Sequence, residues 1–406
     1  MKENNVSRRD FVKTLAVVGM GSMVGARHAL AQSNAPSSAT LPTPVKAVKV
    51  PTRTFGRTGV PVSMLALGGI FDIESNQLVL KQALDWGVKY WDTAAGYTGG
   101  KSEGGIGMYL EKNPQARRDI FLVTKYDGGG MTQALNQSLE RLKTDYVDLY
   151  CLHGLNNTSK LDDDTRAWAA KAKAEKKIRF FGFSTHSNME SCLQEAAKLG
   201  WIDGIMLKYD FRVMQTEAMK AAVDAATKAG IGLTAMKSQS KSPMATETEA
   251  DLKMGGHFIQ RGFTQQQAKL KAVWENPQIA SICSQMPNLT VLQSNIAAAL
   301  DKTSLTAADH AVLREYAEAT QSRHCAGCTQ FCEAAFNHQV PVGDVMRSLM
   351  YHHSYGDHEL ARAVFRELPE AARQGLAGLD YTAVERACPH GLPIAQLIRE
   401  AGELFA

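Results

Sequence analysis

The sequence has little of several features that define particular classes of protein. Its 406 residues carry a formal net charge of only +4, and residues 1–31 hold most of that excess, with five basic against two acidic side chains. The nearly balanced remainder provides no basic face for nucleic acid. No low-complexity tract is present, and 44% hydrophobic with 21% charged residues is ordinary for a globular protein. Nucleic-acid-binding, collagen-like, coiled-coil and mostly disordered chains are therefore excluded.

Long apolar runs are also scarce. An apolar stretch covers about residues 15–26, which is shorter than the roughly 20 residues that span a bilayer, so we expect no stable membrane span. The pair Arg8 and Arg9 precedes this stretch, and the small-residue sequence Ala29-Leu30-Ala31 follows it. This three-part layout is typical of a bacterial twin-arginine export signal. A short amphipathic helix with a chance arginine pair and a retained anchor are the alternative interpretations.

The leader predicts where the protein works. The twin-arginine machinery exports chains that have already folded, so a leader of this type predicts a cofactor that is inserted before export. We expect a signal peptide over residues 1–31, a flexible linker over 32–50 and a periplasmic mature protein.

The middle of the chain alternates between short apolar runs and helical spacing. Eight strand–helix units in a row predict an α/β fold, a closed (β/α)8 TIM barrel over residues 51–303. Nearly continuous apolar strands agree with this, because barrel strands are buried on both faces. Residues 53–63 predict a β-hairpin that closes the barrel bottom. The predicted strands are 64–68, 88–93, 120–125, 146–153, 178–184, 202–209, 231–237 and 279–284.

Chemistry in such a barrel lies at the carboxyl ends of the strands, where the sequence places Asp92, Tyr97, Lys125 and His153. A tyrosine with an ordinary pKa of about 10 is a poor proton donor near neutral pH. A neighbouring lysine stabilises the phenolate, an aspartate keeps the lysine charged, and a histidine polarises a bound carbonyl. Taken singly, each residue also fits a helix cap, a packing aromatic, a solvated lysine or a core histidine.

Five segments of the sequence, in order, resemble the aldo-keto reductase family. The resemblance covers about residues 53–300 and implies a TIM barrel that reduces carbonyl compounds with NADPH or NADH. The five segments are Arg53–Ser63, Trp91–Glu103, Leu122–Lys125, Asp148–His153 and Phe181–His186.

The resemblance also assigns roles to residues. It implies Tyr97 as general acid, Lys125 and Asp92 as its tuning residues, and His153 as the group that orients the carbonyl. Phe71 and Tyr126 match positions in the substrate pocket. No basic residue occurs over 284–295, where NADPH-selective members hold the 2′-phosphate, so the choice between NADPH and NADH stays open. The implied cofactor-binding residues are Gly68, Gly69, Ser184, Thr185, Met206, Met236, Lys237 and Asn295.

The last hundred residues carry a second cofactor signal. Cys325, Cys328, Cys332 and Cys388, the last followed by proline, supply four thiolates. This set suits a 4Fe–4S cluster and resembles the ferredoxin-like extension of a subgroup of the family. We therefore expect a helical iron–sulfur domain over residues 304–406. A zinc site and two disulfides are the alternatives.

Together these features predict a periplasmic oxidoreductase that reduces a small carbonyl or oxidises an alcohol, with a periplasmic redox partner as a further expectation. The alternative is an electron-transfer or binding protein that uses a degenerate reductase barrel without NAD(P)H. In that case the cluster would be either redox-active or structural.

Overall fold

The computed structural model describes residues 49–240, 242–245 and 247–405. The predicted leader over residues 1–31 and nearly all of the predicted linker lie outside the described residues. Within those described ranges, no helix is both long and apolar enough to cross a membrane.

A β-hairpin closes the bottom of the molecule. Strands β1 (Thr52–Thr54) and β2 (Pro61–Ser63) pair antiparallel. Between them, the fully buried Phe55 enters the barrel floor. A Cβ atom on Gly204 or Gly232 would lie 2.8 or 2.6 Å from the Phe55 ring, so these two glycines provide the space that the ring fills. The hairpin is thus attached to the barrel by close packing.

Eight parallel strands form a closed barrel, which confirms the predicted (β/α)8 fold. The last strand pairs with the first through Gln285 and Gly68, and this pairing closes the ring. The strands are buried almost throughout because helices cover their outer faces. They are β3 (Leu65–Gly68), β4 (Tyr90–Asp92), β5 (Phe121–Tyr126), β6 (Val147–Leu152), β7 (Ile178–Thr185), β8 (Gly204–Lys208), β9 (Gly232–Met236) and β10 (Ile279–Gln285).

Helices follow the strands, and several of them begin at a side-chain cap. The side chains of Asp162, Thr216 and Thr264 accept hydrogen bonds from backbone amides in the first turns of their helices. The helices around the barrel are α1 (Gln77–Asp85), α2 (Lys101–Lys112), α3 (Met131–Arg141), α4 (Asp163–Ala174), α5 (Met189–Leu199), α6 (Glu217–Lys228), α7 (Glu249–Gln260), α8 (Gln265–Trp274) and α9 (Leu289–Leu300).

The C-terminal part is helical and has a hydrophobic core of its own, which includes Val345, Leu349, Phe365 and Ile398. A π-helical turn over Tyr351–Tyr355 follows its third helix. The helices are α10 (Ala307–Ala319), α11 (Thr329–Cys332), α12 (Val342–Met350), α13 (His358–Arg366), α14 (Glu370–Gly375), α15 (Thr382–Ala387) and α16 (Ile394–Phe405).

The C-terminal part packs against the carboxyl ends of the barrel strands. The backbone amide of Asn188, just after β7, donates to the carbonyl of Gly327 over 2.9 Å. The Ser242 hydroxyl donates to the carbonyl of Arg323 over 2.6 Å. The Lys237 ammonium reaches the Tyr351 hydroxyl over 3.1 Å. Each contact joins a loop at the barrel mouth to the helical part, so the mouth is partly covered.

Gly327 makes this packing possible, and its replacement tests the contact. Its φ is +88°, and a Cβ atom there would lie 2.2 Å from the carbonyl oxygen of His186. Gly327→Ala should lower the free energy of unfolding by more than about 3 kcal/mol, because both the backbone conformation and the contact resist a side chain. Gly356 has a φ of +65° with open space beside it, so Gly356→Ala should cost only about 1–2 kcal/mol. Equal losses in denaturant titrations would contradict this account.

Candidate active site

Four polar side chains converge at the carboxyl ends of β4–β6, with Lys125 at their centre. The Lys125 ammonium, 1% exposed, donates to Asp92 Oδ2 over 2.7 Å and to the carbonyl of Thr93 over 2.8 Å. It also donates to the Tyr97 hydroxyl over 3.2 Å. Parallel pairing of β4 with β5 brings these residues together, although 33 positions separate Asp92 from Lys125.

The charges of this group follow from burial and pairing. Burial alone would lower the pKa of Lys125, but the Asp92 carboxylate and the Tyr97 hydroxyl beside it raise that pKa, so the ammonium stays charged. Burial raises the pKa of Tyr97, and the charge of Lys125 opposes that rise. Tyr97 therefore keeps its proton at neutral pH, and an ammonium next to it can stabilise the phenolate that forms when the proton leaves. This is the arrangement that a general acid requires.

His153 lies beside Tyr97, with ring centroids 5.6 Å apart in an edge-on arrangement. Its Nδ1 is hydrogen-bonded to Asp127, a residue that the sequence analysis missed. Asp127 also accepts a hydrogen bond from the Gly96 amide over 2.5 Å. Asp127 directly follows β5, so the rule that identified the other strand-end residues could have found it. The pair fixes the orientation of the imidazole.

Tyr351 is a second missed residue, contributed by the C-terminal part. Its hydroxyl accepts a hydrogen bond from Lys237, whose ammonium also lies 4.4 Å from the centre of the Tyr351 ring. Burial alone would raise the pKa of Tyr351, but Lys237 and Arg347 together lower it. Lys237 has a φ of +56°, a conformation that few non-glycine residues adopt and that often marks functional positions. No short-range sequence signal links position 351 to the barrel.

A cleft of about 520 Å³ runs along the ends of β9 and β10. Lys237 and Asn295, two of the predicted cofactor-binding residues, line it together with Gln239 and Gln285. The Asn295 amide donates to the Ser284 hydroxyl over 3.0 Å. Ser354 and Tyr355 of the π-helical turn form part of its wall. An elongated ligand in this cleft would contact both the barrel and the C-terminal part.

The other predicted cofactor residues lie at neighbouring strand ends. Ser184 on β7 is in register with Met206 on β8, and both are buried together with Thr185. Met236 ends β9 and is 9% exposed. Gly68 ends β3 and borders β10, where a Cβ atom would lie 3.1 Å from Cys283 Sγ.

Gly69 belongs to the same group and follows β3. A Cβ atom on it would lie 2.7 Å from the Asp92 carbonyl, so glycine is needed for this close approach.

The two predicted substrate-pocket residues lie in different surroundings. Phe71 is 7% exposed and packs within the main hydrophobic core. Tyr126 is half-buried at the end of β5, and its hydroxyl donates to the carbonyl of Gly129. Tyr126 therefore lies at the mouth of the barrel, whereas most of the Phe71 surface is already used in packing.

The four C-terminal cysteines line one cavity. Its volume is about 20 Å³, and its other walls are mainly apolar. All four are free thiols, and burial raises the pKa of Cys328 and of Cys332 to about 12. Lys208, at the end of β8, donates to the carbonyl of Cys325. Within the described chain, no group of three or more histidine, cysteine or acidic side chains is arranged to hold a metal ion.

The fold is a (β/α)8 barrel with a buried acid–base group at its strand ends, and sequence comparison identifies the family. The profile of the Aldo/keto reductase family matches residues 64–308. The chain therefore belongs to the aldo/keto reductase family.

Individual relatives match more distantly. The uncharacterized oxidoreductase YqkF of Bacillus subtilis is 31% identical over 175 residues, which are 39% of this chain and 55% of that protein. The aldo-keto reductase yakc of Schizosaccharomyces pombe, named with NADP(+), is 28% identical over 40% of this chain and 53% of its own length. The matched part thus spans about half the length of these relatives.

Solved structures share the barrel. An aldo-keto reductase from Bacillus halodurans matches with a TM-score of 0.53 and 22% identity, over 66% of this chain and 96% of that one. An aldo-keto reductase from Klebsiella pneumoniae, solved in complex with NADPH, matches with a TM-score of 0.54 and 24% identity, over 66% and 95%. At these identities the likeness establishes the fold.

The Asp127–His153 pair predicts a pH-dependent contribution to stability. Partial burial raises the pKa of Asp127, but the hydrogen bonds from His153 and Gly96 lower it by more, so the net shift is downward. The stabilisation is therefore present above the unfolded pKa of about 3.9 and is lost as the pH falls through the lower folded value. Asp127→Asn should cost roughly 1 kcal/mol at pH 7, and its difference from the wild type should shrink below about pH 4.

The exposed Asp145 offers the matched control, Asp145→Asn, for which we expect no such trend. Unfolding free energies measured from pH 7 to pH 3 provide the test. A difference between Asp127→Asn and the wild type that stays constant over this range would show that the carboxylate does not act as described.

Proposed function

We propose that this protein is a periplasmic oxidoreductase that interconverts a small carbonyl compound and its alcohol, with NADPH or NADH as the hydride donor. The observation that carries the proposal is the buried group of Asp92, Tyr97 and Lys125 at the catalytic end of a barrel of this family. The proposed location rests on the twin-arginine pattern, which lies outside the described residues. The proposed domains are the barrel over 51–303 and a helical iron–sulfur domain over 304–406.

The site offers groups that fit a nicotinamide nucleotide. Asp92 Oδ1 is buried and has no hydrogen-bond partner in the described part of the chain, so an acceptor is available to a ribose hydroxyl. The cleft beside β9 and β10 is lined by Lys237 and several amides, which suit a pyrophosphate and ribose. Ser184 and Thr185 would lie near the carboxamide, with Met206, Met236, Gly68 and Gly69 around the ring. The NADP(H) named for the relatives supports this assignment.

A reduced nicotinamide supplies a hydride to the carbonyl carbon when it is bound. Tyr97 donates its proton to the carbonyl oxygen, and the Lys125 ammonium, 3.2 Å away, stabilises the phenolate left behind. Asp92 keeps Lys125 charged and oriented. His153, fixed by Asp127, holds the carbonyl oxygen near Tyr97. In the opposite direction the Tyr97 phenolate accepts the proton of the alcohol.

Nucleotide preference is expected to be weak. Residues 284–295 carry no lysine or arginine, so this segment provides no cation for the 2′-phosphate of NADPH. We therefore propose that either nucleotide is accepted.

Replacing one hydroxyl tests the proposed chemistry. Tyr97→Phe should lower kcat for carbonyl reduction by roughly 10²- to 10⁴-fold, the usual contribution of a positioned proton donor. Tyr146→Phe is the matched control: the Tyr146 ring lies 3.8 Å from the guanidinium of Arg117, a contact that phenylalanine keeps. Initial rates with NADPH and NADH and a panel of small aldehydes and ketones provide the measurement. If the wild type gave no nucleotide-dependent turnover, the proposal would fail in favour of a barrel without NAD(P)H.

We propose that the cysteine cavity holds a 4Fe–4S cluster rather than a single zinc ion. One zinc ion brings four thiolates within about 4 Å of each other, because each Zn–S bond is about 2.3 Å. In a four-iron cluster each thiolate binds a different iron atom, so the sulfurs are farther apart. Four free thiols around one mainly apolar cavity supply the ligands that such a cluster needs. Cys325, Cys328, Cys332 and Cys388 would hold it.

A 4Fe–4S cluster exchanges single electrons when it is bound. Its proposed place next to Lys208 puts it against the end of β8, on the side of the barrel mouth. Because free nucleotide is not expected in the periplasm, we propose that a periplasmic redox partner or tightly bound nucleotide supplies electrons.

Metal analysis tests the cluster. Protein expressed with its leader and purified without oxygen should contain about four iron and four sulfide per chain, with a broad visible absorption that bleaches on reduction. Cys325→Ser should lose most of this iron. Cys192→Ser is the matched control, because Cys192 is buried in α5 and does not line the cavity. One zinc per chain, or oxidised thiols without metal, would contradict the proposal.

A further inference from the structure

A second cavity lies between the cysteine loop and the barrel mouth, and cationic side chains line it. Lys208 and Lys237 come from the ends of β8 and β9, His186 from the end of β7, and Arg347 from α12. None of the described residues that line it is aspartate or glutamate. Its volume of about 40 Å³ suits a small charged group rather than a whole ligand.

The hydrogen bonds of these cations do not neutralise them within the cavity. Lys208 donates to the backbone carbonyl of Cys325, and Lys237 donates to the hydroxyl of Tyr351. Both acceptors are neutral oxygens. Arg347 pairs with Asp344 over 2.9 Å and lies near enough to Glu367 for their charges to interact, but neither carboxylate lines the cavity. The cavity therefore keeps an excess of positive charge.

His186 adds a polar atom that lacks a partner. Its Nδ1 is buried and makes no hydrogen bond with the described chain. Burial lowers the pKa of His186, and the charges of Lys237 and Arg347 lower it further, so the imidazole is neutral. A neutral ring nitrogen beside three cations is satisfied when an anion with oxygen acceptors enters, because Nδ1–H can then donate to it.

The cavity is linked to the proposed catalytic group through Lys237 and Tyr351. Lys237 lines both this cavity and the nucleotide cleft. Its partner Tyr351 is close enough to Tyr97 and Lys125 for their charges to act on one another. A substrate whose carbonyl reached Tyr97 could therefore extend a short arm toward the cations.

We propose that Lys208, Lys237, Arg347 and His186 form an anion subsite that binds a carboxylate of the substrate. The substrate class is then a small keto acid and the corresponding hydroxy acid. This inference rests on the proposed function and specifies its substrate. Arg347 provides the planar donor pair that matches a carboxylate, and the lysines add charge.

Two other kinds of anion, the nucleotide phosphates and the thiolates of a cluster, could pair with some of these cations. Arg347 distinguishes a substrate carboxylate from both. The nucleotide phosphates would contact Lys237, and the thiolates of a cluster lie beside Lys208 through Cys325. Arg347 lines neither the nucleotide cleft nor the cysteine cavity. Carboxylate binding that is lost when Arg347 is replaced is therefore not explained by either of these anions.

Binding of a matched acid and ester tests the subsite. Calorimetry on the full-length protein, without reductant, compares 2-oxobutanoate with methyl 2-oxobutanoate. The acid should bind roughly 10- to 100-fold more tightly than the ester, the usual value of hydrogen bonds to a charged group. Arg347→Met should remove this preference, and Arg347→Lys should restore part of it. Arg366→Met, which changes an exposed arginine on α13, should keep it.

Two results would overturn the subsite. One is equal affinity of the wild type for acid and ester. The other is an Arg347→Met variant that keeps the preference for the acid while the visible spectrum or reduction potential of the iron centre changes, because the cation would then serve the cluster. Failure of the proposed function would give a different result from failure of the subsite. In that case the acid would bind preferentially, yet neither compound would be reduced with NADPH or NADH.

Discussion

The buried ammonium of Lys125 is the constraint on which the rest of the site depends. A charge that is 1% exposed is tolerated only if it is paired and fully hydrogen-bonded. Asp92, the Thr93 carbonyl and Tyr97 supply those bonds. They can do so only because β4 and β5 pair in one register, with Asp92 opposite Val123. The need to pair this buried ammonium therefore favours one register of β4 and β5. The same pairing keeps the Tyr97 hydroxyl next to a positive charge.

The functional region is built from residues of both the barrel and the C-terminal part. Strand ends alone provide the acid group, but the cleft and the cationic cavity each need residues from both parts. Tyr355 lines the cleft and Arg347 the cavity, and Tyr351 joins them through Lys237. The cysteine cavity is attached to the end of β8 through Lys208. The helical part is thus a wall of the functional region, rather than an appendage joined by a linker.

The sequence predicts the barrel well because its signals are local. Strands β7 and β10 begin at the predicted residues 178 and 279, and each ends one residue past its predicted end. Helix α7 has a weak helical pattern, because Gly255 and Gly256 lie in its middle. Its capping box between Thr248 and Asp251 and its packing against α10 offset that cost.

The site was only partly predictable for the same reason. The rule that chemistry lies at strand ends identifies Asp92, Tyr97, Lys125 and His153. The same rule could also have identified Asp127. Tyr351 and Arg347 reach the barrel through tertiary packing across more than a hundred residues. No periodicity or motif encodes such a contact, so only the folded structure brings them to the mouth.

The central claim is that hydride passes directly from a nicotinamide to a carbonyl held by Tyr97. The most direct measurement follows the label from NADPH carrying deuterium at the transferable position of its nicotinamide ring. The account predicts that the deuterium appears on the carbinol carbon of the product alcohol. An unlabelled alcohol would contradict the account, because its hydrogen would then come from solvent and its electrons from another source.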